Sequence, residues 1–450
     1  MIRGHSFYRK HPLICFLIYG VLVFSWPFVC FPLTDGDIVN WAQYSVSISS
    51  WSELLSSQSD QAHGPLMVWT GALFLKILPD VDLTLNMFNM LMGLLGIGTC
   101  YFWSKSLWRD DRVTWMNTFV FATSIATVYL SRTPMYDWPA AIFYLMFAAF
   151  YERYLSRCKP MYLALALMMI ALGSLSRFSI CLGLSGIYVL GLFWIYKRPF
   201  WTLIRDGALI ILVILGINLP WLLGQIAYQG QDFIQAFLVD NLGRYIKSTR
   251  VDAVVRRDYY GFSLVVLVGI LPYTFSALVG IFKRGIWAQI KESESYQVLL
   301  WGFLPCLLLF SFSGHTKLAR YIAYVFPFLL MWVGHLLVTV VLPSAEYRRR
   351  CQKIFGVVIS LVVMLLLYQW VLFSVEAQES ILMVLSIFML VLGVLGIAYW
   401  LIVKKSSEFR ACPQQYLWCF AVLYGVFFTI LAVVSETTTF ISPVRGIFSS

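Results

Sequence analysis

The chain has 450 residues, of which 60% are hydrophobic and only 12% are charged, and its mean hydropathy is +0.77. This composition excludes an ordinary soluble protein, whose surface would need many more polar side chains. The formal net charge of +11 does not indicate nucleic-acid binding, because the basic residues are distributed among the loops between apolar runs. Repeated apolar runs near 20 residues predict an all-α polytopic membrane protein.

The apolar runs predict about thirteen transmembrane helices, since about 20 residues cross the hydrocarbon core. They cover approximately residues 12–31, 84–104, 113–130, 138–155, 160–177, 180–196, 207–225, 260–282, 296–312, 319–342, 354–374, 380–403 and 414–435. Large loops are expected at about 32–83 and 226–259. Within the first loop, the run 63–79 is short and contains Lys76, which favours an interfacial or re-entrant helix.

Lysine and arginine mark alternate loops of this threading. The N-terminal segment and each second connection after it hold three or more basic residues, at about 105–112, 153–159, 197–205, 283–291, 348–353 and 404–410. Because cytoplasmic loops of membrane proteins are enriched in lysine and arginine, this pattern predicts a cytoplasmic N-terminus. The connections between them are then predicted to face outward.

Ionisable residues also occur in the outward connections, where positive charge opposes the topology rule. The acids are Asp35, Asp37 and Asp137, and the bases include Arg132, Arg177, Arg244, Lys317 and Arg320. Charged residues at a membrane boundary are candidates for function. Cations there suit a lipid-linked phosphate, and a carboxylate could take a proton from an attacking hydroxyl. Because nucleotide donors are absent outside the cytoplasm, the pattern favours glycosyl transfer from a lipid phosphate-sugar.

Each of these residues also has a purely structural interpretation. Asp35 and Asp137 could cap the helices that follow them. Arg132 and Arg177 could extend toward lipid headgroups, and the basic stretch 247–257 could be a solvated or headgroup-binding face. The recurrence of acid and base at several successive outer connections indicates a site more strongly than any one residue does.

Several short motifs follow one another in these connections. They are Asp35-Gly36-Asp37, His63-Gly64-Pro65-Leu66, Arg132 to Asp137, Leu175-Ser176-Arg177-Phe178, Asp240 to Arg244, and Lys317 to Tyr321 followed by Pro327. Their order and spacing resemble the polyprenyl-phosphate-sugar-dependent glycosyltransferases of the GT-C fold. That group includes the bacterial lipid A aminoarabinose transferases and the dolichyl-phosphate-mannose protein mannosyltransferases.

The resemblance implies a GT-C fold with a large first periplasmic loop containing interfacial helices. It implies that Asp35 is the general base for the acceptor hydroxyl and that the reaction inverts the anomeric carbon. The predicted catalytic residues are Asp35, Asp37 and Asp137. The predicted ligands of the donor phosphate are His63, Arg132, Arg244, Lys317, Arg320 and Tyr321. Some relatives bind a divalent metal, for which His63 and His315 are candidates, and the cofactor is otherwise unknown.

The implied partners are a polyprenyl-phosphate-linked hexose or pentose, membrane lipid, and a periplasmic acceptor that is an envelope glycan, lipid A or protein. No nucleic acid is implied, and the location would be the bacterial inner membrane. Residues 1–345 would form the catalytic transmembrane core. Residues 346–450 would add C-terminal transmembrane helices without a soluble domain.

Other functions remain open. An O-antigen ligase-like enzyme would use a diphosphate-linked glycan and depend on arginines and a catalytic histidine, so His63 or His315 would matter more than Asp35. A lipid or sugar transporter (a flippase) would show inverted repeats and broken helices at mid-membrane. A non-catalytic lipid-binding scaffold would tolerate loss of Asp35.

Overall fold

The computed structural model describes residues 11–25, 36–48, 53, 64–78, 81–238, 241, 261–282, 285–312 and 319–346. Within these ranges every regular element is helical, which agrees with the predicted all-α class. The predicted spans at 354–374, 380–403 and 414–435 lie outside the described residues, as does nearly all of the predicted C-terminal unit 346–450.

The chain order of the helices follows the apolar runs. The α-helices are Pro12–Ser25, Gly36–Ser47, Leu66–Leu75, Val81–Trp108, Asp111–Thr123, Ile125–Arg132, Asp137–Arg157, Pro160–Ser174, Phe178–Tyr196, Phe200–Gln229, Gln231–Leu238, Gly261–Gly269, Thr274–Ile281, Ile286–Glu292, Glu294–Phe312 and Phe326–Leu336. A 3₁₀ helix, Ala319–Tyr324, precedes the last of these, and a π-helical turn, Leu337–Val341, follows it.

Helix length and composition identify a smaller set of clear spans than the apolar runs predict. Among the described residues, Phe178–Tyr196, Phe200–Gln229 and Glu294–Ser311 are long and apolar enough to cross a membrane. A bent pair of helices would make a fourth span, and several apolar helices are shorter. The total of about thirteen spans therefore remains a prediction.

The predicted continuous span at 113–130 is wrong in one respect, because the helix breaks at Ser124. The two parts, Asp111–Thr123 and Ile125–Arg132, are bent by 53°. Ser124 has an extended backbone, and its Oγ accepts a hydrogen bond from the amide of Thr127 at 3.3 Å, which starts the second helix. The Ile125 amide donates to the carbonyl of Leu271 at 3.1 Å, so the backbone group freed by the break is satisfied.

The predicted span at 260–282 is also interrupted, between Gly261–Gly269 and Thr274–Ile281. The interruption lies against the first break, since Leu271 accepts the hydrogen bond from Ile125, and the Thr123 and Tyr273 hydroxyls are hydrogen-bonded. Pro272 lacks an amide hydrogen and cannot continue a helical hydrogen-bond ladder.

The loop predicted to start at residue 226 begins later. The Phe200–Gln229 helix continues to Gly230, whose φ of 65° ends it in a conformation that glycine adopts without strain. The short helix Gln231–Leu238 then packs Phe233 against Trp221, with ring centroids 5.7 Å apart.

One end of the bundle, here called the far end, contains two buried acids whose hydrogen bonds join neighbouring helices. Glu152 accepts hydrogen bonds from Trp103 Nε1 at 3.3 Å and from the Tyr196 hydroxyl at 3.0 Å. Asp206, which is fully buried, accepts from the Tyr151 hydroxyl at 3.0 Å and is paired with its neighbour Arg205. The other end, where Asp137 begins its helix, is here called the motif end.

We expect Gly334→Ala to destabilise the bundle, because Gly334 lets two helices approach closely. An added Cβ would lie 2.8 Å from Cα and 3.0 Å from the amide nitrogen of Asn117. These backbone atoms cannot rotate away, so the helices would separate at a cost of about 1–3 kcal/mol. A lower apparent melting temperature in detergent would report this cost. Gly98→Ala is the matched control, since nothing lies within 4 Å of its added Cβ; equal melting temperatures for both variants would contradict the prediction.

Candidate functional site

The structure describes three of the predicted site side chains, those of Arg132, Asp137 and Tyr321. Asp37 and Arg320 belong to described helices, but their side chains are not described. Four further predicted site residues and one metal candidate lie outside the described residues: Asp35, His63, Arg244, Lys317 and His315.

Asp137 forms a buried ion pair with Arg177. The Arg177 Nη2 atom lies 2.9 Å from Asp137 Oδ2, and the two side chains are 8% and 0% exposed. Each residue is placed by a helix start, because Asp137 begins the Asp137–Arg157 helix and Arg177 immediately precedes Phe178–Tyr196. The site therefore contains a desolvated acid and base in direct contact.

The charge of Arg177 is maintained by its neighbours. Burial is the largest influence and disfavours the charged guanidinium, but the negative charge of Asp137 and the hydrogen bond to it act in the opposite direction, and the pKa of Arg177 lies above its ordinary value. The guanidinium also lies over the Tyr136 ring, 5.8 Å from its centroid, in a cation–π arrangement. Arg177 is consequently a permanent cation at this position.

Two backbone hydrogen bonds join the His63 motif to the Arg177 motif. The amide of Gly64 donates to the carbonyl of Ser176 at 3.3 Å, and the amide of Leu66 donates to the carbonyl of Leu175 at 3.0 Å. A Cβ on Gly64 would lie only 2.6 Å from the carbonyl carbon of Leu175, so this approach requires glycine. We call this contact the Gly64 clip.

Ser176 extends the clip to the Asp137 motif. Its Oγ donates to the carbonyl of Tyr136 at 2.7 Å, directly before Asp137. Asn89 fixes the preceding segment, since its Nδ2 donates to the carbonyls of Thr133 at 2.6 Å and Met135 at 3.4 Å. The loop that leads into Asp137 is thus held from two sides.

The helix that contains Asp37 packs onto the same assembly. Trp41, fully buried, donates from Nε1 to the carbonyl of Met67, and Ser45 Oγ donates to the carbonyl of Val68 at 3.3 Å. The rings of Trp41 and Tyr136 are 6.0 Å apart at their centroids. The first acidic motif is therefore attached to the second and third motifs through its helix.

Tyr321 belongs to the last of the sequence motifs. It lies in the 3₁₀ helix Ala319–Tyr324 and stacks on Phe310, with centroids 6.5 Å apart. This 3₁₀ helix packs against the Asp137–Arg157 helix. The described part of the last motif therefore belongs to a segment in contact with the helix that Asp137 begins.

Arg132 is buried and contacts the first helix. Its Nη1 donates to the carbonyl of Val23 at 3.0 Å, and the residue is 4% exposed. This contact joins Ile125–Arg132 to Pro12–Ser25, and the predicted phosphate contact of Arg132 stays a prediction. Among the described residues, no group of three or more histidine, cysteine, aspartate or glutamate side chains could hold a metal ion.

The sequence patterns did not identify several residues that organise this region. Arg177 belongs to the predicted positive side of the outer connections and to the Leu175–Phe178 motif, but the sequence assigns it neither a catalytic role nor a phosphate contact, and it assigns no individual role to Trp41 or Ser176. Asn86 and Asn89 stand three residues apart in the Val81–Trp108 helix, a polar face that could have marked a tertiary contact. No comparable sequence pattern indicated the contacts of Trp41.

Comparisons with known proteins identify the type of fold. The family model described as dolichyl-phosphate-mannose-protein mannosyltransferase matches residues 62–223. The crystal structure of ArnT from Cupriavidus metallidurans in the apo state has a TM-score of 0.71 at 17% identity and covers 95% of this chain and 78% of that one. The same protein bound to undecaprenyl phosphate has a TM-score of 0.72 at 17% identity, with coverage of 94% and 77%.

A more distant likeness is to the archaeal oligosaccharyltransferase AglB from Archaeoglobus fulgidus, in complex with an inhibitory peptide and a dolichol-phosphate. Its TM-score is 0.50 at 12% identity, with 94% of this chain and 56% of that one covered. A sequence comparison with curated proteins found no match. The family match and the shared fold together confirm the resemblance predicted from the motifs: residues 62–223 are similar to the dolichyl-phosphate-mannose-protein mannosyltransferases, and the chain shares the fold of ArnT.

Proposed function

We propose that this protein transfers a sugar from a polyprenyl-phosphate carrier to an envelope glycan, lipid A or protein at the outer face of a bacterial inner membrane. One observation carries the proposal: segments of four sequence motifs, at Trp41, Gly64–Leu66, Tyr136–Asp137 and Leu175–Arg177, are held together around the buried pair of Asp137 and Arg177. Support also comes from the ArnT fold, which has been seen with bound undecaprenyl phosphate.

The proposed chemistry is a single displacement. Asp35 takes the proton of the acceptor hydroxyl as that oxygen attacks the anomeric carbon. The bond between this carbon and the phosphate oxygen breaks, and the sugar inverts. Lys317, Arg244 and His63 hold the phosphate, whose growing negative charge is stabilised by fixed cations. Arg132, Arg320 and Tyr321 complete the proposed phosphate site, while Asp37 and Asp137 shape the acidic side.

The proposed orientation places the motif end outside and the far end in the cytoplasm. The Asp137–Arg157 helix supports it, because Asp137 and the basic residues Arg153 and Arg157 stand at opposite ends. At 1.5 Å per residue these ends are about 30 Å apart, the thickness of the hydrocarbon core. The basic loops at 105–112 and 197–205 would share the cytoplasmic side.

The transporter alternative predicts broken helices, and the described residues do contain a helix bent at Ser124. Binding sites at such breaks use backbone groups that the break leaves free. Here the Ser124 amide donates to the carbonyl of Val120 and the Ile125 amide to Leu271, so two of these groups are engaged within the protein. The break therefore gives the transporter only weak support.

The decisive experiment offers the purified protein in lipid nanodiscs a set of radiolabelled sugars on undecaprenyl phosphate and on undecaprenyl diphosphate, with envelope glycolipids as acceptors. We expect thin-layer chromatography to show consumption of a phosphate-linked sugar and label in the acceptor fraction. Consumption of only the diphosphate-linked donor would favour the ligase alternative. Comparing envelope glycolipids by mass spectrometry with and without this chain would then identify the sugar and acceptor from the missing mass.

A further inference from the structure

We propose that the far end of the bundle carries a binding site for an anionic phospholipid of the leaflet that it faces. The site is formed by the two connections 157–159 and 197–199, the arginines that contact them, and the exposed aromatic side chains beside the second connection. We call this surface the basic face. The ligand is distinct from the sugar carrier, and the proposal does not depend on sugar transfer. It requires only that the bundle lies in a membrane.

The structure brings these two connections together. Arg198, in the second connection, donates hydrogen bonds through Nη2 to the carbonyl of Leu155 and, at 3.2 Å, to Cys158 Sγ in the first. Arg205, in the helix that follows, donates to the Tyr154 hydroxyl. Basic side chains that are 40 residues apart in the chain therefore lie on one surface.

Positive charge is in large excess on the basic face. Its cations are Arg153, Arg157, Lys159, Lys197, Arg198 and Arg205. The acids closest to them in sequence, Glu152 and Asp206, are buried and accept hydrogen bonds from tyrosine hydroxyls. Among the described residues, no acid forms an ion pair with the exposed side chains of Arg157, Lys159 and Lys197.

The connection at 105–112 differs, although the lysine and arginine pattern places it on the same side of the membrane. There Lys105 lies 4.0 Å from Asp111, and Arg112 lies 3.5 Å from Asp110. A general preference for lysine and arginine on one side of the membrane is satisfied by both regions. The excess of positive charge on the basic face therefore needs a further explanation, and an anionic partner provides one.

Exposed aromatic side chains adjoin these cations in the chain. Trp194, Phe200 and Trp201 are 68%, 64% and 76% exposed. Tryptophan is enriched at the level of lipid headgroups, because its ring is apolar while its N–H can still be hydrogen-bonded. A phospholipid matches both parts of the surface, since its phosphate suits arginine and lysine and its acyl chains suit the rings. A free phosphate would leave the rings uncovered.

Lipid binding to the full-length protein in a neutral detergent tests the proposal. Phosphatidylglycerol is the anionic probe, and phosphatidylcholine, which has no net charge, is the control lipid. We expect native mass spectrometry to show phosphatidylglycerol retained on the protein and phosphatidylcholine lost. We also expect a higher melting temperature with phosphatidylglycerol, because a ligand that binds only the folded protein stabilises it. Equal retention of the two lipids would overturn the proposal.

A triple variant removes the exposed cations of the basic face: Arg157→Gln, Lys159→Gln and Lys197→Gln. Because these side chains are exposed and form no ion pair with a described acid, we expect the variant to fold with the wild-type melting temperature in the absence of lipid. Each cation near an anionic surface contributes a factor of about five to binding, so the affinity for phosphatidylglycerol is expected to fall on the order of 100-fold.

The matched control variant neutralises the same number of cations in the connection at 105–112: Lys105→Gln, Arg109→Gln and Arg112→Gln. We expect it to bind phosphatidylglycerol with nearly the wild-type affinity, because two of these cations already have acidic partners. Equal losses of affinity in the two triple variants would indicate a general attraction to anionic lipid and would overturn a site at the basic face.

Trp201→Ala tests whether the apolar part of the lipid is recognised. Its ring is largely exposed, so we expect an unchanged melting temperature without lipid and an affinity for phosphatidylglycerol about tenfold below wild type. Leu212→Ala is the control, since Leu212 is 68% exposed on the same helix but distant from the connection. Glycerol 3-phosphate, which lacks acyl chains, is expected to leave the melting temperature unchanged. Wild-type affinity in Trp201→Ala, or stabilisation by glycerol 3-phosphate equal to that by phosphatidylglycerol, would overturn the lipid as the ligand.

Discussion

Replacing Asp35 by asparagine is expected to lower the rate of sugar transfer by about 10²–10⁴-fold, the usual contribution of a general base. Asparagine has nearly the same shape as aspartate but cannot accept the proton of the acceptor hydroxyl. Because that proton is transferred in the transition state, the loss should fall on kcat and leave the binding of undecaprenyl phosphate close to wild type. Initial rates measured with saturating labelled donor would give this loss in kcat.

Asp232→Asn provides the matched control for Asp35→Asn. Asp232 is an exposed acid in the Gln231–Leu238 helix, and no role in the site is proposed for it. We expect the Asp232→Asn variant to transfer sugar at the wild-type rate. Full transfer by Asp35→Asn with an unchanged melting temperature would reject Asp35 as the base. Asp37 would then be the next carboxylate to test, because it stands two residues later in the same motif.

Gly64→Ala is expected to have the second large effect on stability and sugar transfer, because it disrupts the Gly64 clip. The added methyl group would lie against the carbonyl of Leu175, a backbone group that cannot rotate away. Relief of this contact requires breaking the hydrogen bonds of Gly64 and Leu66 to the Leu175–Ser176 backbone. Leaving these buried groups unpaired costs on the order of 3 kcal/mol. We expect a lower melting temperature and at least about a tenfold loss of transfer, since a displacement of about 1 Å at a reacting site can cost about 100-fold in rate.

Gly98→Ala again serves as the control, because it adds the same methyl group where nothing lies within 4 Å. Thermal unfolding and transfer should both be compared after purification in the same detergent. A Gly64→Ala protein with wild-type stability and transfer would show that the clip is not needed to hold the His63 motif against the Arg177 motif.

The apolar runs predicted the positions of the helices well where a helix is unbroken. The predicted span 180–196 corresponds to Phe178–Tyr196, and 138–155 corresponds to Asp137–Arg157. Breaks inside an apolar run were harder to predict. Ser124 is compatible with a helix interior, and its role as a cap depends on the extended backbone there and on the contact with Leu271. That contact joins residues far apart in the sequence.

In the candidate site, too, the sequence indicated several residues but not their contacts. The motifs indicated Asp137 and Tyr321, and the outer cations included Arg177. The sequence could not show that Arg177 pairs with Asp137, or that Arg132 contacts the carbonyl of Val23. Asn89 supports the loop before Asp137 from another helix; its position beside Asn86 on a polar face indicates a tertiary contact but not which segment it meets.

The sequence by itself determined that the chain is helical and suited to a membrane, and which residue types occur near the helix ends. Apolar length and the placement of lysine and arginine are properties of neighbouring residues, so they can be read along the chain. Only the tertiary structure decided which acid meets which base and which glycine must remain glycine. These outcomes depend on how closely separate helices pack and on which buried polar groups find partners when they do.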